Sequence, residues 1–170
     1  MTFDIIIEDD RWSAVPLERL ADAAGRAVLA RLGLDPETCT ASLLACDDAR
    51  IAALNTEFRG KPAPTNVLSW PAADLAPDRP GGAPIPPAPD FTGEIELGDI
   101  ALAWDTCARE AAEAGKPLDD HLTHLIVHGL LHLLGYDHES DPDATLMEGL
   151  ETEIRGKLGV PDPYRVGDGP

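Results

Sequence analysis

Residues 118–134 form a segment in which apolar side chains cover almost the whole circumference of a helix, apart from one stripe of histidines. A helix that is apolar nearly all round is buried inside its domain. The other elements of the chain must therefore surround this segment, and the polar stripe must find partners within the fold. This requirement constrains the fold more than any other feature of the sequence.

The stripe leads into three histidines at metal-ligand spacing. His128 and His132 are four residues apart, so on a helix they project from one face about one turn from each other. Gly135 lets the chain turn, and His138 can return to the same point. Three neutral imidazoles leave one position open on a tetrahedral Zn²⁺, which is the ligand count of a catalytic site. A divalent cation also removes the repulsion that protonated imidazoles on a buried stripe would experience.

Other interpretations of the histidines stay open on spacing alone. The three could be ordinary core histidines with hydrogen-bond partners, and three imidazoles would also accept nickel or copper. His121 and His124 lie one to two turns before His128, beyond easy reach of the same ion. We expect them beside the ligands, along the cleft or on the surface, with His124 as the alternative third ligand.

Hydrophobic periodicity divides the chain into short strands and helices. Strands are predicted at residues 3–7, 41–45, 66–70 and 94–103, with Gly98 weakening the last strand or marking a bulge. Helices are predicted at residues 16–32, 48–58, 104–114, 118–134 and 142–158, the last with Asp141 as its N-cap. This order predicts an α/β (α+β) fold, a single mixed β-sheet of about four strands packed by about five helices. The zinc site would lie at the end of the buried central helix.

The length and composition fit one domain, since 170 residues with 44% hydrophobic content can bury a substantial core. We expect residues 1–158 to form a single metal-dependent hydrolase domain. Residues 72–93 are so rich in proline and glycine that they predict a loop, which either covers the cleft or is a neutral insertion. Residues 159–170 are predicted to be a flexible tail.

The composition also bears on location and partners. No run of 18 apolar residues is present, the N-terminus lacks a basic leader, and Cys39, Cys46 and Cys107 have no metal or disulfide spacing. We therefore expect a cytoplasmic protein that does not contact membranes. The formal net charge of −18 should repel a nucleic acid at long range. Binding RNA would require a cleft made positive by the metal and a few arginines, or delivery by a partner.

The histidine spacing matches the metzincin protease pattern H-E-x-x-H-x-x-G-x-x-H except at its second position. The protease carries there the glutamate that acts as general base. In this chain the position is Gly129, and Glu139 lies past the turn, where it is a poor substitute. A zinc peptidase is thus an alternative function that lacks its base, and losing general-base catalysis forgoes ~10²–10⁴-fold in rate.

Three segments together resemble the YbeY family of bacterial endoribonucleases and ribosomal RNA maturation factors. They are LNTEFRGKPAPTNVLSWP at residues 54–71, ELGDI at residues 96–100, and HGLLHLLGYDH at residues 128–138. The resemblance spans roughly residues 54–158. Asn66 stands where the family more often has aspartate, which favours a structural over a catalytic role there, and Trp70 stands where phenylalanine is frequent.

The resemblance implies a function and a site. It implies a zinc ion on His128, His132 and His138, with Arg59 in the same cleft. It also implies cleavage of single-stranded RNA, linked to 3′-end maturation of small-subunit ribosomal RNA and to ribosome quality control. The partners expected from it are RNA and the ribosome or its small-subunit assembly proteins, with no DNA. A non-catalytic, zinc-stabilised adaptor for ribosome assembly is a further alternative.

The chemistry of Arg59 suits this function. Its planar guanidinium matches a phosphate and cannot lose its charge, so it could bind or stabilise the scissile phosphate. The alternative is a surface ion pair with Glu57. Lys61 is either a substrate-binding residue or a solvated neighbour, and Asp137 either orients a histidine ligand or caps the turn.

Overall fold

A computed structural model of the protein describes residues 1–160 and contains four strands and five α-helices in this part of the chain. The strands are β1 (Thr2–Ile7), β2 (Cys39–Cys46), β3 (Val67–Pro71) and β4 (Ile95–Ala103). The helices are α1 (Leu17–Arg31), α2 (Asp48–Arg59), α3 (Trp104–Ala114), α4 (Leu118–Leu133) and α5 (Asp141–Lys157). The predicted fold class and each predicted element are confirmed, whereas most of the predicted tail, 159–170, lies outside the described residues.

The strands form one mixed sheet in the order β1-β2-β4-β3. β1 and β4 each pair in parallel with β2, whereas β3 pairs antiparallel with β4 and forms an edge of the sheet. The register between β2 and β4 shifts at Thr40 and Ala41, because Ala41 faces Gly98 rather than Leu97. Gly98 therefore marks a bulge. It has a φ of +135°, and a Cβ there would lie 2.2 Å from the carbonyl oxygen of Trp70.

Helix α4 occupies the centre of the fold, as its apolar circumference predicts. It packs against α1, α3 and α5 and against strands β3 and β4. Leu122, Ile126 and Leu130 are each at most 1% exposed, and full burial of such a side chain stabilises the fold by about 1.5–3 kcal/mol. Helix α2 packs on the opposite face of the sheet, because Ala101 on β4 joins a small cluster with Ile51 whereas its neighbours on β4 face the main core.

The helix boundaries follow from local capping. Asp47 caps α2 by accepting a hydrogen bond from the backbone N–H of Arg50, and Gly60 ends the helix in the left-handed conformation. The prediction for α5 was wrong by one residue. The N-cap is Ser140, whose hydroxyl accepts from the backbone N–H of Asp143, and Asp141 is already helical.

The predicted loop of residues 72–93 has neither helix nor strand, and its first part lies against the end of α4. Leu75 is buried, and its carbonyl oxygen lies 2.5 Å from where a Cβ on Gly135 would be. Further along, the backbone N–H of Gly81 donates to Asp143 at the start of α5. The loop is thus held against the turn that follows α4 and against the start of α5. Within residues 1–160 there is no helix that combines the length and apolarity needed to cross a membrane.

Replacing Gly98 with alanine is expected to lower the free energy of unfolding by at least ~2 kcal/mol, because a Cβ there collides with backbone at a φ that alanine avoids. The control is Gly149→Ala in α5, where a Cβ meets no atom within 4 Å. That change should stabilise the protein by ~0.5–1 kcal/mol. Chemical unfolding followed by circular dichroism measures both variants, and equal stability of Gly98→Ala and the wild type would contradict the bulge geometry.

Candidate metal centre

The end of α4 and the turn that follows it bring three histidines together. His128 and His132 lie on the last turns of α4, which ends at Leu133. Gly135, with a φ of +99°, then reverses the chain, and the backbone N–H of Tyr136 donates to the carbonyl of Leu131. The close contact with Leu75 leaves no room for a side chain at position 135. This turn carries His138 back toward the two helical histidines.

The donor atoms of these histidines have the spacing that one ion requires. One nitrogen from each of His128, His132 and His138 lies within 4.8 Å of the other two. The Nε2 atoms of His128 and His132 are 3.1 Å apart, close to the ~3.3 Å expected for two nitrogens bound to one tetrahedral zinc. Burial, together with the charges that His128 and His138 can carry, lowers the pKa of His132 to about 4. His132 is therefore neutral at pH 7, which is the form that binds a metal.

The three histidines open into a cleft of about 610 Å³ that also contains Arg59 and Lys61. Both basic residues are exposed, as is His138, whereas His128 and His132 are partly buried. The remaining polar side chains that line this cleft belong to Asn55, Thr65, Asn66, Ser69, Asp74, Tyr136, Asp137 and Glu139. The cleft thus combines the candidate metal ligands with cations that could contact a phosphate.

Arg59 is the last residue of α2, and its guanidinium lies across the edge strand β3. Its Nη2 atom donates a hydrogen bond to the carbonyl oxygen of Ser69, with 3.1 Å between the nitrogen and the oxygen. Within residues 1–160 it forms no ion pair with Glu57, which was the alternative interpretation. A guanidinium has five N–H donors, so most of them stay available to a ligand in the cleft.

Two further polar residues have structural contacts. The Asn66 side-chain amide donates to Glu110 of α3 at 3.0 Å, and its oxygen accepts from the backbone N–H of Val67 at 2.7 Å. These bonds fit the expected structural role of Asn66. Asp137 accepts from the backbone N–H of His138 at 2.6 Å, so its carboxylate caps the turn.

The other two histidines of α4 lie away from the cleft. His121 is buried and contacts Glu110 through Nε2 at 2.9 Å, and the His124 side chain is only 14% exposed. Burial lowers the pKa of both histidines. The surface and cleft positions expected for them were wrong, because the packing of α3 and α5 encloses this side of α4. His124 does lie beside a candidate ligand, as expected, with its ring centroid 6.3 Å from that of His128.

Sequence reasoning missed Glu151, whose carboxylate is hydrogen bonded to Nδ1 of His128. Glu151 is completely buried on the face of α5 that also carries Met147 and Ile154. Its position in the sequence could have identified it, because residues 147, 151 and 154 share one helix face. A lone carboxylate among apolar residues on such a face needs a partner. The same carboxylate lies 3.9 Å from Nε2 of His124, so His124, His128 and Glu151 form a second group, in which Glu151 is buried and the two histidines are partly buried.

Gly129 lies between the two helical histidines and faces the sheet. A Cβ at this position would lie 3.1 Å from both Cδ1 of Ile100 and the hydroxyl oxygen of Ser69. The position where a metzincin has its catalytic glutamate is therefore filled by the sheet. Glu139 does line the cleft, but it belongs to the segment after the turn rather than to the helix.

Known proteins match the chain over almost its whole length. A family model described as Endoribonuclease YbeY matches residues 5–159. Proteins called Endoribonuclease YbeY from Ruegeria pomeroyi and Dinoroseobacter shibae are 68% and 63% identical to it, covering 98% and 97% of this chain and 99% and 91% of their own lengths. The solution structure of TM1509 from Thermotoga maritima shares the fold, with a TM-score of 0.54, 22% identity, and coverage of 96% of this chain and 99% of that one. The predicted family is confirmed: this chain belongs to the YbeY family of endoribonucleases.

Proposed function

We propose that this protein is a cytoplasmic, zinc-dependent endoribonuclease that cleaves single-stranded RNA during maturation of the small-subunit ribosomal RNA 3′ end and in ribosome quality control. His128, His132 and His138 hold the ion, and Arg59 binds the scissile phosphate. The observation that carries this proposal is the convergence of three imidazole donors in a cleft that also contains an arginine with free donors. Membership of the endoribonuclease family supports RNA as the substrate.

Each group in the cleft has a distinct task. Bound zinc would supply Lewis-acid polarisation of a phosphate oxygen and activation of water. Arg59 contacts the phosphate through a charged, bidentate fork and stays anchored to β3 through Ser69. Lys61 lines the same cleft and would contact a neighbouring phosphate of the same strand. The edge of β3 is covered by Arg59 at Ser69, which disfavours a peptide substrate that would extend the sheet.

The metal also determines the sign of the charge in the cleft. Arg59 and Lys61 are opposed there by Asp74, Asp137 and Glu139. These ionisable side chains give a net charge of −1 without an ion and +1 with a divalent cation. A chain of net charge −18 therefore presents a locally positive cleft to RNA only when the metal is bound. The overall repulsion supports docking on the ribosome or its assembly proteins as the route to the substrate.

Purified protein is expected to contain one zinc ion per chain, and His132→Ala should lose it because only two imidazoles then remain. His121→Ala is the matched control, since His121 lies on the same helix but contacts Glu110 instead. Elemental analysis by mass spectrometry measures the zinc content of the three proteins. Stoichiometric zinc in His132→Ala would falsify the ligand assignment.

Arg59→Ala is expected to slow cleavage of single-stranded RNA by roughly 10²-fold, because a charged donor to the phosphate is lost. Arg59→Lys should cleave RNA at a rate between those of the wild type and Arg59→Ala, since lysine keeps the charge without the planar fork. Arg19→Ala removes an exposed arginine of α1 outside the cleft and should cleave at the wild-type rate. Zinc content and melting temperature are measured in parallel to show that the site and fold persist.

The same variants test the substrate in cells. Mapping of small-subunit ribosomal RNA 3′ ends should show unprocessed ends with Arg59→Ala and His132→Ala but not with Arg19→Ala. Normal 3′ ends with Arg59→Ala, in protein that keeps its fold and zinc, would instead support the non-catalytic adaptor.

Gly129→Glu restores the glutamate of the metzincin pattern and tests the peptidase alternative. The side chain would enter the space occupied by Ile100 and Ser69, so we expect a loss of stability of ~2 kcal/mol or more and no peptide hydrolysis. Gly149→Glu on the surface of α5 controls for the added charge. Peptidase activity in a stable Gly129→Glu protein would show that the sheet leaves room for the protease base.

A further inference from the structure

Glu151 is a completely buried carboxylate at the contact between α4 and α5. Its neighbours on α5 include Met147, Leu150 and Ile154, each at most 7% exposed. A carboxylate in such surroundings is strongly unfavourable unless it is paired and hydrogen bonded. Its contacts therefore indicate its role.

The two oxygens of Glu151 face two histidines of α4. Oε1 forms a hydrogen bond with Nδ1 of His128, and Oε2 lies 3.9 Å from Nε2 of His124. Because an ionised carboxylate only accepts hydrogen bonds, Nδ1 of His128 carries the hydrogen. A neutral imidazole has a single N–H, so Nε2 of His128 keeps its lone pair. That Nε2 atom is the one that lies 3.1 Å from Nε2 of His132.

We propose that Glu151 is a positioning residue that fixes the ring orientation and tautomer of His128, so that Nε2 is presented to the metal ion. The inference rests on the proposed function only in that the three histidines must bind a metal. Metal-ligating histidines commonly donate their second N–H to a carboxylate, which orients the ring and makes the ligand more basic. Here the carboxylate comes from a different helix, so the packing of α5 on α4 sets the geometry of the ligand.

The group of His124, His128 and Glu151 has donor atoms close enough to suggest a metal site of its own. Nδ1 of His128 and Oε1 of Glu151 are in direct hydrogen-bond contact, which leaves no space for an ion between these two atoms. Glu151 and His128 are therefore better explained as an acceptor and its donor. His124 extends this group along α4. The positive charge of the buried Arg155 is one of the causes that lower the pKa of His124, after burial.

The test compares zinc affinity by competition with a chromophoric chelator in wild type, Glu151→Gln and Glu148→Gln. Glutamine keeps the shape of Glu151, but its amide can donate to Nδ1 and so stabilise the wrong tautomer. We expect zinc binding to weaken ~10–100-fold in Glu151→Gln. Glu148→Gln removes an exposed carboxylate from the same helix and should bind zinc as the wild type does. Equal affinity of the two variants would overturn the positioning role.

A second measurement uses only the wild-type protein, so its outcome does not depend on whether a variant folds. Nitrogen-15 NMR of the histidine rings in zinc-loaded wild type should show His128 with hydrogen on Nδ1 and zinc on Nε2. Hydrogen on Nε2 with zinc on Nδ1 would overturn the inference. If the wild-type protein binds no zinc, both the metal site and this inference are wrong. If the wild type binds zinc and Glu151→Gln binds it with the same affinity, only the positioning role is wrong.

Discussion

The structure depends on the close packing of α4 against the sheet. The helix can approach β3 and β4 because residue 129 is glycine, with Ile100 and Ser69 only 3.1 Å from where its Cβ would be. This approach buries the apolar faces of α4 and sets where His128 and His132 lie relative to β3. The same contact occupies the space of a protease glutamate. One residue thus accounts both for the packing of the central helix and for the missing glutamate of the metzincin pattern.

The acidic composition of the chain has a local counterpart in the cleft. Three carboxylates outnumber the two basic side chains there, so the cleft by itself does not attract a polyanion. His132 contributes no positive charge at pH 7, since burial, together with the charges that His128 and His138 can carry, lowers its pKa to about 4. In the proposed function the attraction for phosphate comes from the ion and is focused at Arg59. Such short-range attraction suits a protein that a partner brings to its RNA, because long-range steering would be repulsive.

The sequence predicted the element order and the buried central helix because each depends on local apolar periodicity. The mixed sheet was predicted from the way strands and helices alternate along the chain. It also predicted the turn at Gly135, since one glycine after a helix and a histidine beyond it allow few other paths. The order β1-β2-β4-β3 could not be predicted, because strand pairing depends on contacts between distant residues. The predicted N-cap of α5 was Asp141 and the observed one is Ser140. The two are difficult to distinguish from sequence because serine and aspartate are nearly equally favoured as N-caps.

Within the site, the sequence grouped the three histidines that the structure brings together, but it misplaced their surroundings. His121 and His124 look like polar residues that should face a cleft, yet α3 and α5 cover them. Glu151 shares a helix face with Met147 and Ile154, but only the docking of α5 on α4 identifies His128 as its partner. Both errors arise because helix periodicity gives the faces of one helix and not the partner of each face.

The arrangement of His128 links the candidate metal site to the core. One nitrogen of its ring faces the other two histidines, and the opposite nitrogen is bonded to Glu151 on α5. An ion at the three histidines would therefore connect α4, the turn at Gly135 and, through one ring, α5. Because an ion that binds only the folded state stabilises that state by mass action, the metal proposed for catalysis would also hold these three segments together. The turn would gain from this in particular, because His138, its candidate ligand, is exposed, whereas the start of the turn is already held by the packing of Tyr136 on the core and the contact of Gly135 with Leu75.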